Sequence, residues 1–333
     1  VKNVEGDYEP PTVEGMPDFH CYTMWYSHHA MPIGKLLAGY LPAIKAGWMA
    51  GCGEYGAEGL DNLHVMKTRY PKEWLETDEK GHWYPDKILR SQTHSLQGDW
   101  YQEQETLEDW VRESQIFQAK ATALMTDAFR RRADIISHTA IHLLIDAWPA
   151  GWMKTLVDCE RVPKRAYFAY RDSLIPVRMN FYCPRTYVYG GEKVPVEVWL
   201  LNDSGEEKYL EVQAVSGQEN FRLAGLAEAA SSTFLGTVEV TVPQTSQVTQ
   251  VTVEGCVRDV TERRAGQVVK SSEAVVSKAA VACQGESEEV PAVIVSEATA
   301  FGEGQLYGEK LTLTVYPAEC RLSPEELEEK GPL

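Results

Sequence analysis

The sequence predicts an α/β first half followed by an all-β second half, and three observations carry that expectation. An aromatic-rich run at 18–26 reads as a buried strand, and apolar runs at 47–54 and 135–146 read as further strands, set apart by longer segments. Between the second and third of them Trp110, Phe117, Ala121, Leu124 and Ala128 recur at i, i+3/i+4 spacing, the stripe of an amphipathic helix. Past Pro176 the rhythm changes to short alternating runs separated by Gly, Asn, Asp and Ser, as in an antiparallel sandwich.

Bulk properties narrow the partners. The 333 residues exceed one average domain, and 44% hydrophobic content suffices for packed cores. Lys and Arg total 32 against 49 Asp and Glu, a net charge of -17. Such a surface repels phosphate backbones and anionic lipid, so neither nucleic acid nor a membrane is expected as partner. No apolar run approaches the roughly 20 residues of a membrane span. Seven scattered cysteines without Cys-x-x-Cys spacing argue against a disulfide framework or a zinc site, and favour a reducing compartment such as the cytoplasm.

Taken in order, 18–26 is a strand and 33–46 a modest helix candidate. The run Gly47-Trp48-Met49-Ala50-Gly51-Cys52-Gly53 then ends abruptly at Glu54-Tyr55-Gly56. Residues 64–104 hold many Trp, Tyr, Gly and Pro without periodicity and read as a long excursion over a cleft. Thr106 and Asp109 form a capping-box-like pair that opens the helix. Arg130, Arg131 and Arg132 sit where cations suit its C-terminus, and a solvated helix end is expected there. Residues 135–146 return to strand character and finish at Asp146-Ala147-Trp148-Pro149. Strands are then expected at 194–201, 209–215, 234–242, 247–253 and 268–276. An acidic, Gly/Ser-containing linker at 284–305, a last strand at 310–316 and a charged end follow.

Glycines around Glu54 let the backbone turn sharply and let a ligand approach. A carboxylate ending a strand of a parallel barrel faces the shared mouth, where catalytic groups gather. Three strand ends meet in this reading: His20, Tyr22 and Trp25; Glu54 and Tyr55; Asp146 and Trp148. Aromatic faces cover the apolar face of a pyranose while polar groups take its hydroxyls, so the expected partner is a carbohydrate. A carboxylate there can attack the anomeric carbon while a second carboxyl, roughly 5–5.5 Å away, protonates the leaving oxygen. Glu58 is the alternative nucleophile, ranked below Glu54 because the apolar run stops at Glu54. Asp146 could instead brace the turn before Pro149, and Trp48 and His20 could be core residues. Glu103, Glu105 and Glu108 read as solvated helix-start charge. His28-His29 lacks a suitably spaced carboxylate or Cys, so no metal is expected.

The stretch Asp18-Phe-His-Cys-Tyr-Thr-Met-Trp25, with Gly53-Glu54-Tyr55-Gly56 after it, resembles the sixth and seventh barrel strands of glycoside hydrolase family 2. Asp146-Ala-Trp-Pro-Ala-Gly-Trp152 with Lys164-Arg-Ala-Tyr167 is similar to the eighth strand and final helix of that family's β-mannosidase-type branch. The resemblance covers residues 15–215. It implies the C-terminal part of a (β/α)8 TIM barrel over 1–176 and an immunoglobulin-like β-sandwich over 177–283. Residues 284–333 would be an acidic linker, a final strand and a tail that could open a further β domain. It also implies a retaining, exo-acting β-glycosidase without cofactor, with Glu54 as nucleophile held by Tyr22 or Tyr55. Trp25 and Trp148 would be sugar platforms, with His20 and Asp146 on hydroxyls.

The chain departs from the family in two places. His142 and Ile145 stand where that branch carries Trp and Asn. The family's acid/base is the Glu of an Asn-Glu pair closing strand four, and this sequence has no Asn-Glu pair. Strands one to five would lie upstream of Val1, in the missing N-terminal part of the same enzyme or in a complementing subunit, and little hydrolysis is expected of residues 1–333 alone. The rival reading is a non-catalytic carbohydrate-binding or scaffold protein on the same fold.

Overall fold

The computed structural model describes residues 18–24, 36–38, 49–88, 103–149, 153–261 and 305–321. Trp25, Trp48, His28 and His29, the expected strand at 268–276 and most of the linker lie outside them. No described helix is long and apolar enough to cross a membrane.

The first half contains β1 (Asp18–Cys21), β2 (Ala50–Tyr55), α1 (Leu63–Arg69), α2 (Leu107–Arg130), β3 (Ile136–Ile141) and α3 (Arg165–Ser173). The strands form one parallel sheet in the order β1-β2-β3, with β2 central. Helix α2 starts where expected. The Thr106 hydroxyl accepts from the Asp109 backbone N–H at 3.2 Å and Glu108 and Asp109 occupy the first turn, a cap worth about 1 kcal/mol. Ala121, Met125 and Phe129 on α2 bury against Cys21, Ala50, Cys52 and Tyr55 of the sheet. The segment read as a cleft-covering loop instead includes α1, whose Val65 and Met66 pack with Trp83 and Trp110.

The second half consists of β4 (Val177–Tyr182), β5 (Tyr187–Tyr189), β6 (Lys193–Asn202), β7 (Lys208–Ser216), β8 (Glu219–Ala227), β9 (Ser231–Thr241), β10 (Thr249–Asp259) and β11 (Gln305–Tyr316). One sheet runs β5-β11-β10-β7-β8, the other β4-β6-β9. Val194, Val196, Val198 and Leu200 alternate along β6 into a core shared by both sheets, with Val212, Leu223, Val253 and Leu313 opposite. Each such Val or Leu contributes about 1.5–3 kcal/mol by leaving water. The expected boundary at 283 does not hold for this unit: β11 pairs with β10 and β5, so the last strand completes the sheet instead of opening another domain.

Arg130 and Arg131 depart from the solvated helix end expected of the arginine triplet, whereas Arg132 stays partly exposed. Arg130 donates to Asp203 at 2.8 Å and to the carbonyls of Ser173 and Pro176. Arg131 is buried, bonded to Asn180 and to the Leu37 carbonyl. The β-unit packs on the end of α2, so the cations meet carbonyls and carboxylates in place of water. Beneath them Arg178 joins Asp127 of α2 to Glu309 of β11. Burial pushes the Glu309 carboxyl up to about 7, with Arg178 pulling the other way. A carboxyl raised in the folded state stabilises fully below its ordinary value of 4.5, and that contribution is lost as the pH rises through 7. Urea unfolding of wild type against Glu309→Gln at pH 5 and pH 8 should show the wild type losing more stability across that interval.

Candidate active site

The site is built where three parallel strands end together. The register pairs His20 with Glu54, Cys21 with Tyr55, and Tyr55 with Ile141, so the residues at and just past these ends share one rim. Simple alternation along β2 would place Cys52 and Glu54 on one face and Tyr55 on the other. Instead Cys52 and Tyr55 both enter the core under α2. The ladder explains why. Phe19 pairs with Cys52 and His20 with Glu54, so Gly53 is an extra, unpaired residue. A bulge of this kind re-aims the next side chain, and here it turns Glu54 out of the core. Gly51 does a different job from the one read into the glycines: a β-carbon there would collide with the His138 imidazole, so it makes room for a neighbouring side chain.

Glu54 keeps 34% of its side chain exposed, and one oxygen gathers the surrounding groups. The Tyr22 hydroxyl donates to Oε2. His20 Nδ1 lies 3.5 Å from the same oxygen and His142 Nε2 lies 3.9 Å from it. Tyr22 is held edge-to-face by both imidazoles, at centroid distances of 5.9 Å to His20 and 6.1 Å to His142. Behind it, Lys154 places its ammonium 5.7 Å from the ring centroid. Burial pushes Lys154 down to about 7, against the pull of Glu58 and Glu54. Burial likewise lowers His142, with Glu54 opposing and Lys154 adding to the depression. A phenol and two imidazoles thus converge on a half-open carboxylate, which they can orient for attack on an electrophilic carbon.

Among the expected site residues, the structure brings together Glu54, His20 and Tyr22. Tyr55 is corrected: it is fully buried, with its hydroxyl 2.8 Å from Thr126 and its ring against Phe129. The bulge at Gly53 puts it there, so it cannot hold the Glu54 carboxylate. Tyr55→Phe should cost about 0.5–1.5 kcal/mol in urea unfolding, at the low end because Thr126 keeps its bond to the Thr122 carbonyl. The titration of His142 should not move in that variant.

Asp146 is also corrected. The chain after the cis His142–Leu143 peptide runs beside 156–157, with Val157 N–H donating to Leu144 and Asp146 N–H to Val157. That pairing turns Asp146 inward, where it is buried and accepts from Thr155 at 2.9 Å. Its charge acts on Lys164, whose ammonium donates to the Gly59 and Met153 carbonyls, and on Tyr70, whose hydroxyl donates to Asp61. Trp148 is 59% exposed in the following turn. Glu58, the alternative nucleophile, is buried. Glu108 is exposed and paired with Lys67. No group of three or more potential metal ligands occurs among the described residues. His142 and Lys154 belong to the site although neither was read as a site residue. His142 was legible as the substituted strand-eight position; Lys154 carried no sequence signal.

No protein-family model and no curated protein sequence matches the chain. Solved structures do. A β-D-mannosidase from Dictyoglomus thermophilum is 16% identical over 73% of this chain and 28% of its own, with a TM-score of 0.51. An exo-chitosanase from Amycolatopsis orientalis is 14% identical over 74% of this chain and 29% of its own, with a TM-score of 0.48. The likeness is one of fold. This chain spans 28% of the length of that β-mannosidase.

Proposed function

We propose that the chain is the C-terminal part of a retaining β-glycosidase, with Glu54 as the nucleophile that forms the glycosyl-enzyme. The observation that carries this reading is Glu54 itself. It ends the central parallel strand, is turned out of the core by a bulge, and accepts the Tyr22 hydroxyl between two imidazoles. In this reading β1, β2 and β3 are the sixth to eighth strands of a (β/α)8 barrel, and the β-unit is its trailing immunoglobulin-like domain. The bond formed joins a Glu54 oxygen to the anomeric carbon as the aglycone oxygen leaves with a proton. Water then reverses the step. His20 and His142 line the approach to the carboxylate and can take sugar hydroxyls. Trp25 and Trp148 remain candidate platforms, and the acid/base comes from the rest of the barrel.

A 2-deoxy-2-fluoro-β-glycoside with a good leaving group, given to the enzyme that includes the remaining strands, should leave a covalent sugar on the Glu54 peptide. Labelling at any other carboxyl would overturn the assignment. A second reading, a carbohydrate-binding scaffold without turnover, draws on one observation: an imidazole, His142, stands beside Glu54 where the resembling branch has an indole. Reversible sugar binding without label or hydrolysis is its outcome.

A further inference from the structure

We infer that Lys154 is a positioning residue of this site, holding the ring of Tyr22 from behind and setting the charge under which His142 and Glu54 work. The inference rests on the β-glycosidase reading only for its consequence in turnover; the contacts stand without it. Tyr22 makes T-shaped ring contacts with both His20 and His142, and the Lys154 ammonium lies over its face. An ammonium within about 6 Å of an aromatic face is attracted by the ring, and more strongly where water is excluded. Lys154 is 3% exposed. Its ammonium therefore helps hold the ring whose hydroxyl donates to Glu54.

Among the described residues, the charged groups facing Lys154 include Glu58 in the loop after β2, Glu54 at the end of β2, and His142 after β3. His20, on β1, acts on His142 in the same sense as Lys154. Among the described residues the site thus sets one amine and two imidazoles against two carboxylates. Burial brings the amine's titration down to about 7, so its proton is present below neutrality and gone above it. His142, lowered itself, takes up its proton while Lys154 is still charged. Lys154 then opposes a second cation beside Glu54, keeping His142 a neutral imidazole that can accept or donate a single hydrogen bond. A sugar hydroxyl is a suitable partner for such a group, and the glycosyl-enzyme forms from a carboxylate whose orientation Tyr22 already fixes.

The test reads His142 by NMR in the chain itself, with Lys154→Met removing the charge and Lys154→Arg retaining it. The His142 midpoint should rise by about 0.5–1 pH unit in Lys154→Met, as expected when one nearby cation is removed from a partly solvated site. It should stay near the wild-type value in Lys154→Arg. An unmoved midpoint in a folded Lys154→Met overturns the inference, and so does an equal shift in both variants, which would mark a packing effect. Should Lys154→Met fail to fold, selectively labelled lysine side chains in wild type must show an amine titrating near pH 7 that vanishes in Lys154→Arg; its absence also overturns the inference. These readouts need no turnover. Their failure leaves the fluoro-sugar test of Glu54 untouched, and the failure of that test leaves them standing.

Discussion

Glu54→Gln in the enzyme that contains the remaining barrel strands should lose at least ~10²–10⁴-fold in kcat on an aryl β-glycoside, the range for one positioned group in acid–base chemistry. The substitution keeps the shape of the side chain and an oxygen for the Tyr22 hydroxyl. What it removes is the charge and the lone pair that attack the anomeric carbon. Folding should be little affected, because Glu54 keeps a third of its side chain exposed and the Gln oxygen can still accept from Tyr22. Binding of the intact sugar, followed by calorimetry, should persist, so the loss falls on kcat more than on KM. Full activity in Glu54→Gln would remove this residue from the chemistry. Azide rescue of Glu54→Ala with formation of the α-glycosyl azide would mark the carboxylate as the attacking group, since the small anion fills its place on the same face of the sugar.

The largest effect on stability is expected from Arg178→Met. The Arg178 side chain is 2% exposed and lies 3.1 Å from Asp127, with Glu309 on its other side. It also donates to the Asp172 carbonyl at 3.1 Å. Removing the cation leaves two carboxyls in low dielectric with only Asn180 still donating to Asp127, at 3.1 Å. Breaking a buried pair from one side typically costs about 3–5 kcal/mol, and the low end of that range is expected here because Arg130 and Arg131 still act on Asp127. Urea unfolding near neutral pH should show that loss. Adding Asp127→Asn and Glu309→Gln should recover part of it, since a group that cannot ionise needs no counter-charge. A cost below about 1 kcal/mol for Arg178→Met alone would mean that water reaches the joint.

How much of this was legible depends on how local the cause is. Helix α2 announces itself through Thr106, Asp109 and a stripe of apolar residues, all within one segment. The strands β6, β7 and β9 follow from period-two alternation. Glu54 is legible because an apolar run stops there. The side to which Tyr55 points was not legible, since it turns on one extra residue, Gly53, visible only when β2 is laid against β1. Strand β8 was missed because Ala224 and Gly225 dilute its alternation, although the left-handed Gly217 marks the turn before it. The arginines at the end of α2 look solvated until the β-unit that covers them is in place. Lys154 carries no local sign of its role at all; only the fold sets it behind Tyr22. The Asp146 pairing with Thr155 likewise depends on 144–146 lying parallel beside 156–157, which no dipeptide marks.

The placement of β11 has a consequence for the order in which the molecule is made. Arg178 and its partner Glu309 are 131 positions apart, and β11 lies inside its sheet, between β5 and β10. During synthesis the first seven strands of the β-unit leave the ribosome well before the strand that must slot between two of them. Until then β5 and β10 lack the strand that lies between them, and Arg178 waits for its second carboxyl. Assembly of this half is therefore held open until its last strand arrives, a window in which a chaperone or a stray strand from another chain can compete for the vacancy.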